Sequence, residues 1–435
     1  MDDVRRKNFQ NITERIESKN SIIGIIGLGY VGLPLAFKMV EQGYSVIGFD
    51  KDLTKILQLN NHTSYIADLV DGKVKEIMKT KKFIPTNKFE QLEDTDVIVI
   101  CVPTPINKDG SPNVSYIAEA AKSIGQYAKA NTIIILESTT YPRTTRDIIY
   151  PVLESKGYTV GEDVFLAFSP ERIDPGNISF KVDNTTKVVG GLTPQCTKLT
   201  RLFYERTLNI QVHCVSSPEV AEMEKLLENT FRQVNIALVN ELSKICHAMN
   251  IDVWEVIRAA ATKPYGFMPF TPGPGVGGHC IPVDPKYLLW AGEQYGFSSK
   301  MIETADKINE SMPKFVVERL NEYLGQQKKL IIIGIAYKPN INDIRESPAI
   351  AVIEQLLLKN YQLEVVDPYI TSVKLQHSEI QTTNLTKELL QEADGVIILT
   401  NHTNIDYRLI DREAALIFDT RNTNYPFGNK KYYRL

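Results

Sequence analysis

Short apolar runs alternate with longer amphipathic stretches along this chain. Ser21–Ile26 is an apolar run of strand length, and Gly27-Leu-Gly29-Tyr-Val-Gly32 follows it at once. A helical period continues through Met39. Tyr44–Phe49 is a second apolar run, ending at Asp50. Asp96–Val102, Thr132–Glu137 and Val164–Phe168 repeat the strand pattern, with helical stretches between them. Strands alternating with helices predict a parallel, doubly wound sheet, placed at residues 21–212. The polar residues 1–20 predict a short helical extension ahead of it.

Ser217-Pro218-Glu219 opens a helix: Ser as N-cap, Pro at the first helical position, an acid in the first turn. Val220, Met223, Leu227, Phe231, Val234 and Leu238 keep the helical period, and no Gly or Pro intervenes before Met249. A helix this long is either a spine that builds a subunit interface or one buried between two domains. Further helical segments fill residues 213–325. A third segment, 326–435, begins with Lys329-Leu-Ile-Ile-Ile-Gly334 and continues through Gln362–Val366, Asp367-Pro368 and Asp394–Leu399. It echoes Ile22–Gly27, Val46–Asp50 and Asp96–Val102, but without the glycine triplet. The expected architecture is α/β: two Rossmann-like doubly wound parallel-sheet domains joined by a helical domain with a long central helix.

Length agrees with this division, since 435 residues at roughly 150 per domain give about three. A net charge of −3 offers no basic field for nucleic acid. The longest apolar runs, such as Ile331–Ala336, fall far short of the roughly 20 residues that a membrane span needs. The N-terminal stretch lacks the apolar core of a secretory signal. Five cysteines, an odd number without a CxxC pair, argue for a reducing compartment and against a zinc site or disulfide framework. A cytoplasmic location and no metal are therefore expected.

Gly27, Gly29 and Gly32 form GxGxxG between a strand and a helix. The first permits the tight turn, the second lets the backbone approach a pyrophosphate, and the third lets helix and strand pack. The helix N-terminus offers N–H groups to the phosphates. Asp50 ends the next strand, where an acid accepts from the adenosine ribose hydroxyls and repels a 2′-phosphate, so NAD is favoured over NADP. Lys51 and Lys55 weaken that exclusion, unless they are ordinary solvated lysines.

Val102-Pro103-Thr104-Pro105, Glu137-Ser-Thr139-Thr140 and Ser169-Pro-Glu171-Arg172 end three strands at the carboxyl edge, where ligands bind in such sheets. Thr104 and Thr139 either line the nicotinamide end or cap their strands. Glu171 is a general base or a salt-bridge partner. Lys225, Asn229 and Arg232 share one face of the long helix. That row suits an oxyanion with phosphate nearby, or is a solvated stripe.

Gly273-Pro-Gly-Val-Gly-Gly-His279-Cys280-Ile-Pro-Val-Asp284 is the most informative stretch. So many glycines are costly unless backbone must touch a ligand. Cys280 precedes a helix expected around Pro285–Trp290, whose N-terminus stabilises a thiolate and makes it nucleophilic. His279, Cys280 and Asp284 as metal ligands are the lesser alternative. Tyr337-Lys338 and Asp343-Ile-Arg345 follow the first strand of the third segment, where basic residues suit a second diphosphate or form surface ion pairs.

Taken in order, GLGYVGLPLA (Gly27–Ala36), VPTP, EST, SPER, KLLEN (Lys225–Asn229), GPGVGGHCIPVDP (Gly273–Pro285) and DIRESP (Asp343–Pro348) resemble the UDP-glucose/GDP-mannose dehydrogenase family over about residues 20–425. Thr262–Phe270 most resembles the bacterial UDP-N-acetylglucosamine 6-dehydrogenases of surface-polysaccharide pathways. Related N-acetylmannosamine enzymes tend to carry an Arg near Tyr265, and Lys263–Phe270 has none.

The resemblance implies four-electron oxidation of the sugar's C6 hydroxyl to a carboxylate, with two NAD used in turn. Cys280 would add to the intermediate aldehyde, and oxidation of that thiohemiacetal would give a thioester that water cleaves. Lys225 and Asn229 would hold the oxyanions, Asp284 would orient Lys225 or a water, Glu171 would help hydrolysis, and Thr139 would sit by the nicotinamide. The implied cofactor contacts are Gly27, Gly29, Tyr30, Val31, Gly32, Asp50, Lys55, Pro103, Thr104, Thr139 and Arg345. The implied contacts to the UDP-sugar are Glu171, Arg172, Lys225, Asn229, Arg232, Gly277, Tyr337 and Lys338. A homodimer or larger homo-oligomer is expected through the long helix. UDP-N-acetylmannosamine, UDP-N-acetylgalactosamine and UDP-glucose remain alternative substrates. A β-hydroxyacid dehydrogenase needs no thiol or third segment, and a non-catalytic NAD-binding regulator needs none of the reactive side chains.

Overall fold

The computed structural model describes residues 3–66, 69–172, 184–325, 328–376, 378–429 and 431–435. The expected extension 1–20 therefore begins outside the described residues, as does the expected third segment at 326. A helix spans Asp3–Glu17. The described chain divides into two compact units: Met1–Glu228 with Lys286–Tyr295, and Asn229–Pro285 with Gly296–Leu435.

The first unit is built on strands β1 (Ile22–Ile26), β2 (Ser45–Phe49), β3 (Phe83–Thr86), β4 (Val97–Ile100), β5 (Ile133–Leu136), β6 (Phe165–Phe168), β7 (Lys187–Gly191) and β8 (Val212–Val215). They form one sheet in the order β3-β2-β1-β4-β5-β6-β7-β8. The first six are parallel, with the strand order of a dinucleotide-binding sheet. β7 departs from the expected all-parallel pattern by running antiparallel to β6, Ala167 opposite Gly191. Central strands such as β4 and β5 are buried along their whole length, which is why they read as unbroken apolar runs.

The second unit carries β9 (Lys329–Ile333), β10 (Gln362–Val366), the antiparallel pair β11 (Ser372–Lys374) and β12 (Glu379–Gln381), then β13 (Gly395–Ile398), β14 (Ile417–Asp419) and β15 (Tyr432–Arg434). Its sheet has the order β10-β9-β13-β14-β15, all parallel. Helices 253–260, 300–310 and 312–324 belong to this unit.

The echo between the two sheets extends to single hydrogen bonds. Gly27 has φ of 97° and Gly334 of 79°. Gly27 N–H donates to Phe49 O at 2.8 Å, and Gly334 N–H to Val366 O at 2.9 Å. The next residue's N–H meets the acid ending the second strand: Leu28 to Asp50 Oδ2 at 2.9 Å, Ile335 to Asp367 Oδ2 at 2.8 Å. The two turns then diverge. Asp50 pairs with Lys55, whereas Asp367 pairs with the buried His402.

Ser217 Oγ accepts the Val220 N–H at 3.4 Å, and the helix Pro218–Ala248 runs 31 residues without a break. Val220, Met223, Leu227, Phe231, Leu238 and Ile245 leave an exposed apolar stripe along it. No helix among the described residues is long and apolar enough to cross a membrane.

Candidate active site

In the first unit the glycine turn has the geometry its spacing requires. A Cβ on Gly27 would lie 2.5 Å from Cys101 O, and one on Gly32 would lie 1.9 Å from Gly27 O, so both positions need Gly. A Cβ on Gly29 would meet nothing within 4 Å, so that glycine faces open space. The helix Gly32–Glu41 has Val31 at its N-cap with no side-chain capping bond; Leu33 N–H donates to Gly29 O at 3.2 Å and Pro34 carries no N–H, so Gly32 N–H is the first-turn donor that suits an anion. Tyr30 is exposed and Val31 half-buried.

Asp50 is buried and heavily used. Oδ2 accepts from Leu28 N–H and from Lys55 Nζ at 2.8 Å, and Oδ1 accepts from Asp52 N–H at 2.9 Å. Gly27, Gly29, Asp50, Phe89, Pro103 and Tyr116 line one cavity. Lys51 lines it too, paired with Glu119 at 2.6 Å. Open space over Gly29, a helix start without a side-chain cap and a carboxylate at the second strand's end fit NAD.

Thr104 is buried, and its carbonyl accepts the Tyr287 hydroxyl. Pro103 is exposed and Thr139 half-buried. Ser138 Oγ donates to Val102 O at 2.8 Å and ties the loops after β4 and β5 together. Glu222, from the long helix, secures the second of these. Its carboxylate accepts from Arg143 N–H at 2.5 Å, Thr145 N–H at 2.9 Å and Thr145 Oγ1 at 2.7 Å. Burial raises its pKa to about 7 against the pull of those donors.

Glu171 accepts the Arg172 N–H at 2.8 Å and lies 3.5 Å from Lys187 Nζ. Lys187 also reaches Glu137 at 2.8 Å. Arg172 is drawn to the long helix: its Nη2 is 2.5 Å from Glu228, its Nε 3.5 Å from Glu224, and its Nη1 donates to Thr186 O. Burial, with the neighbouring Glu228, lifts the Glu224 pKa to about 7. Lys225 is buried on the same helix.

In the second unit, Asn229 Nδ2 donates to Asp284 Oδ2 at 2.5 Å, and both residues are buried. Cys280 is exposed. Its carbonyl accepts from Val283 N–H at 3.1 Å and Asp284 N–H at 2.8 Å, which opens the helix Asp284–Gln294. The thiol therefore precedes a helix N-terminus, as its position in the sequence implies. Arg232 is exposed.

The glycine loop packs on the loop after β9. A Cβ on Gly277 would lie 2.7 Å from Tyr337 Cβ, and one on Gly278 would lie 2.8 Å from the Tyr337 ring. Gly278 N–H donates to Arg345 O at 2.9 Å. Burial, aided by Arg345, lowers the His279 pKa. Arg345, expected at the cofactor's phosphates, belongs to this unit and makes a two-pronged pair with Asp343, Nη2 to Oδ2 at 2.6 Å. Tyr337 and Lys338 are half-buried on the same loop. Among the described residues no group of three or more His, Cys, Asp or Glu can hold a metal.

Sequence reading missed Lys187 and Glu222 and gave Glu137 no role. Glu222 had one signal, an acid one turn before Lys225. Lys187 had none, because it enters through the reversed strand β7.

A dinucleotide turn, a second sheet of the same design and an exposed thiol beside a buried Asn–Asp pair define an oxidoreductase class. The chain belongs to the UDP-glucose/GDP-mannose dehydrogenase family. Family profiles match its NAD-binding domain at residues 21–208, central domain at 219–311 and UDP-binding domain at 331–425. It is 34% identical to the UDP-N-acetyl-D-glucosamine 6-dehydrogenase of Pseudomonas aeruginosa, over 88% of this chain and 91% of that one. It is 32% identical to the UDP-N-acetyl-D-mannosamine dehydrogenase of Pyrococcus horikoshii, over 92% and 95%. The solved structure of Cap5O, a UDP-N-acetyl-mannosamine dehydrogenase of Staphylococcus aureus, superimposes with a TM-score of 0.83 at 34% identity, over 95% and 98% of the two chains. The chain is an NAD-dependent dehydrogenase of this family.

Proposed function

We propose that the protein oxidises the C6 hydroxyl of a UDP-N-acetylhexosamine, UDP-N-acetylglucosamine first, to the uronic acid. The balanced reaction is R–CH2OH + 2 NAD+ + H2O → R–COO− + 2 NADH + 3 H+. The carrying observation is the exposed Cys280 thiol at a helix N-terminus, next to the buried Asn229–Asp284 pair. NAD, when bound, accepts a hydride at each oxidation. An alcohol can release the first directly. The resulting aldehyde releases a second only after a nucleophile has added to it, and Cys280 is that nucleophile. Sulfur bonds to C6 to give a thiohemiacetal, and loss of hydride and proton gives the thioester. Lys225 and Asn229 donate to the oxygen anion at C6 in both stages. Glu171 takes a proton from the water that then adds to the acyl carbon, and the sulfur leaves. Thr139 borders the nicotinamide, Asp284 holds Asn229, and Tyr337, Lys338 and Gly277 contact the UDP-sugar with Arg172 and Arg232.

The lack of an Arg near Tyr265, within Lys263–Phe270, supports the glucosamine sugar. The second reading, UDP-N-acetylmannosamine, is favoured by relatives of that name at 32% and 34% identity. The exposed helical stripe supports a homodimer. We place the enzyme in the cytoplasm, supplying uronic acids for surface polysaccharide. A panel of UDP-sugars with NAD, counting NADH per sugar consumed, tests the reading: two for the preferred sugar supports it, and one with released aldehyde refutes it.

A further inference from the structure

Lys187 gathers groups that no motif connects. Its ammonium is 2.8 Å from Glu137 Oε1, 3.5 Å from Glu171 Oε2 and 4.9 Å above the Tyr204 ring. Glu137 is 1% exposed and Lys187 5%. The Tyr204 hydroxyl donates to the same Glu137 oxygen, and the Cys101 sulfur lies 4.0 Å from the other. Burial disfavours the Lys187 ammonium, but the two carboxylates outweigh it and raise its pKa. Arg172, the next residue after Glu171, directs its guanidinium to Glu228, Glu224 and Thr186 O.

The reversed strand explains how the cation arrives. Glu137 and Glu171 follow the carboxyl ends of the parallel strands β5 and β6. A parallel β7 would put its first residue at the opposite edge. Because β7 runs antiparallel to β6, Lys187, its first residue, comes to the edge that carries both acids.

We propose that Lys187 is a positioning residue for Glu171: it neutralises the buried Glu137 and so leaves Glu171 to act as the hydrolytic base. Glu137 is buried and Glu171 half-buried, and without a cation between them two such carboxylates resist being ionised together, so one takes up a proton. The inference rests on the reading of Glu171 given above. The step it serves transfers no electrons. Water oxygen bonds to the acyl carbon, Glu171 takes one water proton, the C–S bond breaks and sulfur leaves with the bonding pair.

The test follows the acyl adduct on Cys280 by intact mass in quenched single turnovers of full-length enzyme with NAD and UDP-N-acetylglucosamine, across a pH series. Lys187→Met should slow adduct decay at neutral pH by about tenfold or more and move the acid limb of that step up by about one unit. The first NADH should form at nearly the wild-type rate. Glu137→Gln removes the competing negative charge, so the limb should move down, and this variant carries the test should Lys187→Met fail to fold. Glu171→Gln separates the two ideas. Wild-type decay in Glu171→Gln overturns the base assignment and this proposal with it. Slow decay in Glu171→Gln, with an unmoved limb in Lys187→Met and Glu137→Gln, overturns the Lys187 proposal alone.

Discussion

Asn229 gives one amide hydrogen to Asp284 across 2.5 Å, although 55 residues separate them in the chain. Both are buried, so this bond fixes the rotation of the carboxamide. The second Nδ2 hydrogen keeps a set direction and suits a developing oxygen anion.

Asn229→Ala should therefore lower the rate of the first oxidation by about 10²–10³, as loss of an oxyanion donor typically does. Asp284→Asn should lose less, since its new amide can turn its oxygen toward Asn229. Single-turnover NADH formation measures both, and an unchanged NAD affinity shows that the cofactor site is intact. Wild-type rates in Asn229→Ala would remove it from the oxyanion site.

Asp50 and Lys55 predict an asymmetric response to the cofactor's 2′-phosphate. The wild type should prefer NAD. Asp50→Ala deletes the acceptor for Leu28 N–H and releases Lys55 from its 2.8 Å pair, so NAD should bind more weakly and NADP better. Asp50→Ala/Lys55→Ala should lose the gain for NADP. Ratios of kcat/KM for the two cofactors check this, and equal use of both by the wild type contradicts it.

Glu222 sets a pH dependence of stability. Its folded pKa of about 7 lies above the ordinary value of 4.5, so folding favours its protonated form. Its contribution is fully present below the unfolded pKa and is lost as pH rises through the folded one. Glu222→Gln cannot ionise. The stability of wild type minus Glu222→Gln should fall between about pH 4.5 and pH 7 and stay flat above that. Urea unfolding of both proteins across this range gives the slope, and a difference that rises with pH contradicts the account.

Strands with continuous apolar runs were legible in the sequence: β1, β2, β4, β5, β6, β9, β10 and β13 all fall within the expected stretches. The missed strands break the pattern for physical reasons. β3 contains Pro85, which an edge strand tolerates. β7 ends in Gly190-Gly191, which reads as a turn. Those glycines are required by close packing, since a Cβ on Gly190 would lie 2.0 Å from Ser217 O and one on Gly191 2.3 Å from Thr197 N. β8, Val-His-Cys-Val, is largely exposed and breaks the apolar run, and β11, β12, β14 and β15, at three residues each, are too short to show a period. Of the site, the glycine turn, Asp50 and the Cys280 loop were legible because their chemistry demands a local spacing. The Glu137–Lys187–Glu171 cluster was not, because it exists only once β7 reverses.

The exposed stripe on the long helix predicts self-association. Leu227 and Leu238 are 63% and 61% exposed, an unfavourable display for a lone chain. Light scattering should give at least a dimer at micromolar concentration. Leu238→Glu should shift it toward monomer with little change in helix content. A wild-type monomer at these concentrations would contradict the interface.

Cys280 is the proposed carrier of the second oxidation. Cys280→Ser replaces the thiol with a hydroxyl of similar size and so loses the sulfur nucleophile. The first hydride transfer needs Lys225 and Asn229 and should survive. The direct measurement is NADH formed per sugar in a single turnover of Cys280→Ser with UDP-N-acetylglucosamine, followed by mass analysis of protein and sugar. At most one NADH is expected, with the sugar stalled at the aldehyde level or held on residue 280. Two NADH and free uronic acid at the wild-type rate would contradict it.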